Sequence, residues 1–169
     1  LALNGRISSQ EADTLTVDVK DFDLSYLFNL VNFHAVDFKG YATGRIYGQN
    51  LLGTPMADAF LQVHDFTFND ARMGNMDVHV NWGVQPKTMQ LDAYIQDAPA
   101  RQQTMVRGRI TPGHAPGSGL DLDIHTQRMD LRFLHRYASS IFSKMEGRIT
   151  GDCRVFGPFK GINLRGQVV

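Results

Sequence analysis

Apolar and polar residues alternate with a period of two along nearly the whole chain, a pattern that specifies β-strands with one wet and one dry face. Leu15, Val17 and Val19 alternate with Thr16, Asp18 and Lys20. Ala57, Ala59, Leu61 and Val63 alternate with Asp58, Gln62 and His64, although Phe60 interrupts the polar side and implies partial cover there. Met76, Val78, Val80 and Trp82 alternate with Asp77, His79 and Asn81, and Met89, Leu91, Ala93 and Ile95 with Gln90, Asp92, Tyr94 and Gln96. The same rule holds around Val106 to Ile110, Leu120 to Ile124 and Ile162 to Val168. Turn-forming residues separate these runs at hairpin spacing, at Asn69 to Asn75, Gly83 to Lys87 and Thr111 to Gly119, which predicts an antiparallel meander.

The chain also contains part of itself twice. Leu15 to Gly44 aligns with Leu122 to Gly151 without a gap, an offset of 107 residues. Leu15, Asp23, Leu24, Leu27, Gly40, Thr43 and Gly44 meet Leu122, Asp130, Leu131, Leu134, Gly147, Thr150 and Gly151. Asn4 to Ile7 similarly resembles Arg107 to Ile110 once a short insertion is allowed. We therefore expect one unit over about 15–121 and a partial second over about 122–169, within a single domain. Asp23 to Asn32 and Asp130 to Ser143 depart from the strand pattern, with apolar residues at helical spacing and an aspartate placed to cap each helix. The glycines after each helix, Gly40 and Gly44 or Gly147 and Gly151, clear one strand face for a bend or a close neighbour.

Charge and motif content exclude several classes of function. The 17 basic and 17 acidic residues balance, so no net field attracts nucleic acid or an anionic surface. Cys153 is the single cysteine and forms neither a disulfide nor a Cys-x-x-Cys motif within the chain. No apolar run is long enough for a membrane-spanning helix, and no signal core opens the chain. The first residue is Leu1, and both ends are strand-like, so the chain reads as a piece of a longer polypeptide whose anchor or export signal lies elsewhere. His34, His64, His79, His114, His125 and His135 are scattered, with His64, His79 and His125 on the polar strand face. The glycine-rich stretch Gly44 to Gly48 lacks a phosphate loop's lysine and hydroxyl, and Ser139-Ser140 lacks a nucleophile elbow. Asp121 and Asp123 share one strand side, as alternation requires, without the further oxygens of a calcium loop. We expect no enzyme activity, no cofactor and no metal.

The dry stripe is the remaining feature. A one-sided sheet is covered by a second sheet, by helices or by a ligand, because each exposed methylene forgoes about 0.8 kcal/mol. Composition leaves a closed sandwich or barrel open as one answer. Ala57, Ala59, Ala93 and several methionines among the larger residues point instead to an adaptable lining.

The segments Leu131 to Leu134, Met145 to Gly151, Val155 to Pro158 and Asn163 to Gly166 resemble the TamB family of translocation and assembly module proteins, in a Bacteroidetes-type variant. So do Gly40 to Gly44, Gly53 to Pro55, Phe66 to Asp70, Met73 to Met76 and Trp82. AsmA-like proteins share this punctuation, and no single residue is diagnostic. The resemblance covers nearly the whole chain. It implies an elongated, half-open antiparallel β-groove, a β-taco, with two short helices. It also implies a periplasmic bridge, anchored in the inner membrane in the full-length protein and reaching an outer-membrane barrel of the BamA/TamA type. Such proteins serve outer-membrane biogenesis, protein secretion and lipid transport.

On this reading Val17, Val19, Ala59, Leu61, Val63, Met76, Val78, Val80, Trp82, Met89, Leu91 and Ala93 line a groove for phospholipid acyl chains or a hydrophobic client. The rival is a chaperone that pairs an exposed strand edge with unfolded barrel proteins. Bare edges also predict self-association, which light scattering would measure.

Overall fold

A computed structural model describes residues 1–26, 37–69, 71–85, 88–113, 116–134 and 146–169. Ten strands lie side by side in chain order in one antiparallel sheet. They are β1 (Ala2–Gly5), β2 (Thr14–Asp23), β3 (Phe38–Gln49), β4 (Met56–Phe68), β5 (Ala71–Gln85), β6 (Thr88–Asp97), β7 (Gln102–Thr111), β8 (Gly119–Asp130), β9 (Arg148–Gly157) and β10 (Asn163–Val168). From β3 to β8 short hairpin connections bring each strand back beside the last, and the longer connections after Asp23 and Asp130 keep the same sequential antiparallel pairing. β1 and β10 are its outermost strands and do not pair with each other, so among the described residues the sheet is open and does not close into a barrel.

Two hairpins are tighter than the sequence suggests. Phe68 pairs with Ala71, so β5 already begins where a turn was expected to run on to Asn75. Asn69 makes this possible by adopting a left-handed φ of 47°, and its backbone N–H donates to the carbonyl of Asp37 at 2.8 Å. Likewise β5 runs on through Gly83 to Gln85, which pairs with Thr88. The third turn falls where expected, between Thr111 and Gly119.

Both expected helix caps are formed. Asp23 Oδ1 accepts from the backbone N–H of Ser25 at 2.9 Å, and Asp130 Oδ1 from that of Arg132 at 2.9 Å. Residues 24–26 turn helically after the first cap, and Leu131–Leu134 form a 3₁₀ turn after the second. The rest of both expected helices, 27–36 and 135–145, lies outside the described residues.

A β-bulge precedes each cap. On β2 the register shifts between Val19 and Phe22, with Asp21 at a φ of 45°. On β8 it shifts between Thr126 and Met129, with Arg128 at 58°. Thr43 Oγ1 accepts from the Asp21 N–H at 3.0 Å, and Thr150 Oγ1 from the Arg128 N–H at 3.1 Å. These residues are all related by the offset of 107. Strand pairing keeps the same offset: Leu15 with Gly48 corresponds to Leu122 with Val155, and Ile46 with Ala59 to Cys153 with Gly166. Gly44 and Gly108 show why glycine is needed within a strand. At φ values of 155° and 151°, a Cβ on either would run into the carbonyl oxygen of Phe60 or Asp121 on the next strand.

Packing is concentrated at the end of the sheet that carries the bulges. Val19, Leu24, Ala42, Val63, Phe66, Ala71, Met73, Ile95 and Met129 form its buried cluster. Here the sheet curls until β5 and β8, three positions apart, touch. Gln102 ties the seam by donating to Met73 Sδ at 3.4 Å and accepting from the backbone N–H of Asp130 at 3.3 Å. The chain exposes 11,081 Å². A compact protein of this mass exposes about 8,300 Å², so the chain is more open than a compact domain of its size.

Candidate hydrophobic groove

Directly opposed residues in an antiparallel sheet share a face, so the registers arrange the dry side into four transverse rows. The first, at the bulge end, runs Phe22, Ala42, Val63, Met76, Ile95, Thr104, Thr126 and Gly151. The second runs Val19, Gly44, Leu61, Val78, Ala93, Val106, Ile124, Cys153 and Gly166. The third spans all ten strands as Leu3, Val17, Ile46, Ala59, Val80, Leu91, Gly108, Leu122, Val155 and Leu164. The fourth runs Leu15, Gly48, Ala57, Trp82, Met89, Ile110, Leu120 and Gly157. All twelve residues expected to line a groove therefore lie on one face.

Burial grades along that face. Row one is mostly filled by the protein itself, with Val63 at 1 % exposure beside buried Ala42, Ile95, Thr104 and Thr126, while Phe22 and Met76 stay partly exposed. Thr104 and Thr126 share a hydroxyl hydrogen bond at 2.7 Å, which satisfies polar groups inside an apolar row. Row two is intermediate, since Val19 and Ala93 are buried while Leu61 and Val78 are half-exposed. In rows three and four no large apolar side chain is buried: Val17, Ala59, Val80, Trp82, Met89 and Leu91 are all half-exposed. Of the twelve, Val19, Val63 and Ala93 thus belong to the protein's own core, and nine present surface. Ile46, Ile110, Leu122 and Val155, beyond the expected twelve, continue rows three and four. Their period-two spacing is the signal that identifies them.

The wet face is a ladder of cross-strand pairs. Arg45 Nε meets Asp18 at 2.6 Å, Arg107 Nε meets Asp92 at 3.1 Å, and Asp58 Oδ1 takes His79 at 2.8 Å and Asn81 at 2.9 Å. Asp121 is held by Arg154 at 2.7 and 2.9 Å and by Arg109 at 3.3 Å. These bonds, Arg154's first, outweigh desolvation and keep the Asp121 carboxyl below its ordinary range. His125 pairs with Asp152. Phe60 is 51 % exposed, and what covers it is the stacked ring of His79, 4.2 Å away.

Two open depressions, of about 900 and 590 Å³, lie mainly on this polar side, one around Arg45, Phe60, His79 and Asp92 and the other around His125, Arg154 and Arg165. A twisted sheet is saddle-shaped and so is concave along one diagonal of each face. Within the first depression Asp18 pairs with Arg45, while His79 and Asp92 pair with Asp58 and Arg107 outside it. Burial, then the neighbouring Asp152 charge, pushes the Cys153 thiol up, which keeps it protonated. Among the described residues no three His, Cys, Asp or Glu gather as a metal site, and no helix is long and apolar enough to cross a membrane.

Comparison of the chain with protein-family models, curated proteins and solved structures gives no match.

Proposed function

We propose that this chain is a non-enzymatic segment of a periplasmic bridge whose apolar groove conducts or holds phospholipid acyl chains between the inner and outer membranes. The observation that carries this reading is the graded dry face: partly exposed aliphatic rows three and four cross a sheet on which the described residues lay no second layer. The resemblance to TamB proteins supplies the compartment, the inner-membrane anchor of the full-length protein and the outer-membrane barrel partner of the BamA/TamA type. A chain of about fourteen methylenes gains at most roughly 11 kcal/mol by full burial, and less when one side stays open. Such attraction has no direction, which suits sliding.

The same reading takes the sheet as a half-open β-groove built from a unit of about 107 residues, with one copy over about 15–121 and a partial copy over about 122–169 of a single domain. Its support is the shared offset of bulges, threonine acceptors and strand registers. Mass spectrometry of material co-purifying with the chain tests the function. Phospholipid retained by the parent and lost on adding a charge in row three is the expected result. A chain that neither retains nor captures phospholipid overturns it.

A second reading, a chaperone that pairs a strand edge with unfolded barrel proteins, is favoured by a separate observation. Leu3 on β1 and Leu164 on β10, the two ends of row three, are each 72 % exposed.

A further inference from the structure

We propose that β5 to β8 form an apolar funnel, blind at the bulge end and open where β5 turns into β6 and β7 into β8, whose floor of Ile95, Thr104 and Thr126 sets the length of acyl tail it takes. This rests on the groove reading and deepens it, naming the guest as a single tail inserted methyl end first.

Exposure on the dry side falls in the same direction along all four strands, each of which lies inside the sheet. On β5, Trp82, Val80, Val78 and Met76 are partly exposed, and Met73 beyond them is buried. On β6, Met89 and Leu91 are partly exposed, while Ala93 and Ile95 are buried. The step on β7 falls between Val106 and Thr104, and on β8 between Ile124 and Thr126. Strands three places apart in a flat sheet are about 14 Å from one another, yet at the bulge end β5 and β8 touch. The space over the dry face therefore tapers to a close. Gly108, between Leu91 and Leu122 in row three, puts no side chain in the way.

Two ties hold the narrow end shut. Gln102, 2 % exposed, bonds Met73 on β5 and the backbone N–H of Asp130 at the end of β8. Arg148 on β9 reaches past β8 and β7 and donates to the carbonyl of Ala100 in the β6–β7 turn at 3.0 Å. The floor is stiff, because Ile95, Thr104 and Thr126 are β-branched and restricted at χ1. Its hydroxyls are also spent, Thr104 and Thr126 on each other and Thr126 on the carbonyl of Gln103 at 3.3 Å. A headgroup at this floor would lose its water and find no free partner, whereas a terminal methyl needs neither. Rows two to four cover four residues along a strand, about 14 Å, which holds roughly eleven extended methylenes.

The test titrates the chain with lysophosphatidylcholines whose tails run from eight to sixteen carbons in steps of two, each below its micelle concentration. Trp82, the one tryptophan, reports binding from row four. Affinity should rise about two- to threefold per methylene up to about twelve carbons and then level off. Ile95→Ala deepens the floor and should move the plateau up by about two carbons. Val106→Phe raises the floor from a partly exposed position, and should bring the plateau down by about two to four carbons even if Ile95→Ala fails to fold. Thermal unfolding identifies the folded variants. Affinity that climbs steadily through sixteen carbons, or a plateau at one length in the parent and every folded variant, would overturn the gauge and leave the groove standing. Absence of binding at every length would remove the groove and the gauge with it.

Discussion

Val80 stands near the middle of row three, between Ala59 and Leu91, half-exposed on the dry face. Val80→Asp puts a carboxylate where an acyl chain would lie. To avoid desolvating it, the guest must lift about three or four methylenes, a loss of about 3 kcal/mol or roughly 100-fold in affinity. The fold loses less. Val80 is only partly buried, so its loss forfeits part of the roughly 1.5–3 kcal/mol that full burial of a valine contributes, and the new charge keeps water on its open side. Titration of the purified chain with a fluorescent phospholipid, alongside thermal unfolding, separates the two effects. Two controls bracket the result. Asn75→Asp, exposed on the wet face opposite Gln96, should bind like the parent, whereas Val63→Asp, with its charge in the packed row, should unfold the chain. If Val80→Asp binds within about threefold of the parent while remaining folded, the hydrocarbon does not lie on row three and the groove argument fails.

Met73→Ala empties a site in the closed end of the sheet and should cost about 2–5 kcal/mol by urea denaturation, against about 1 kcal/mol for Leu91→Ala in the open rows. Thr43→Val and Thr150→Val each remove the acceptor at one bulge, so each should cost about 0.5–1 kcal/mol by urea denaturation, with Thr43 at the upper end because its hydroxyl also donates to Asp21 at 3.4 Å; no loss at either would show that the bulge needs no acceptor. The Asp121 carboxyl has a folded value below its ordinary 3.8, so the unfolded chain binds the proton more readily. Its contribution is therefore full above about pH 4 and lost as pH falls through the folded value. Asp121→Asn should flatten the acid limb of a stability–pH curve, and an unchanged limb would show that the Arg154 bridge contributes nothing.

The class of every central strand was legible in the residues, because the alternation of Val17, Ala59, Val80 or Leu91 with polar neighbours is local and repeats every second residue. The faces were legible for the same reason, and so were the two aspartate caps. The turn from Asn69 was overestimated, since its residues read as turn formers to Asn75. Only pairing with Phe66, Thr67 and Phe68 shows Ala71, Arg72 and Gly74 as strand. Phe60 implies partial cover on the polar side, and register alone shows that the cover is the stacked ring of His79 on the next strand.

What sequence alone determined is the identity of the strands, their dry side and the offset of 107 that runs through them. Tertiary structure decided which part of the dry side is closed and which is open. Val63 and Val80 look alike in sequence, two apolar members of alternating runs, yet one is sealed and the other half-exposed. The difference comes from the bulges at Asp21 and Arg128 and the Gln102 seam, which curl one end of the sheet onto itself and leave the other spread. Curl depends on contacts between residues dozens of positions apart, and a period of two carries no information about them.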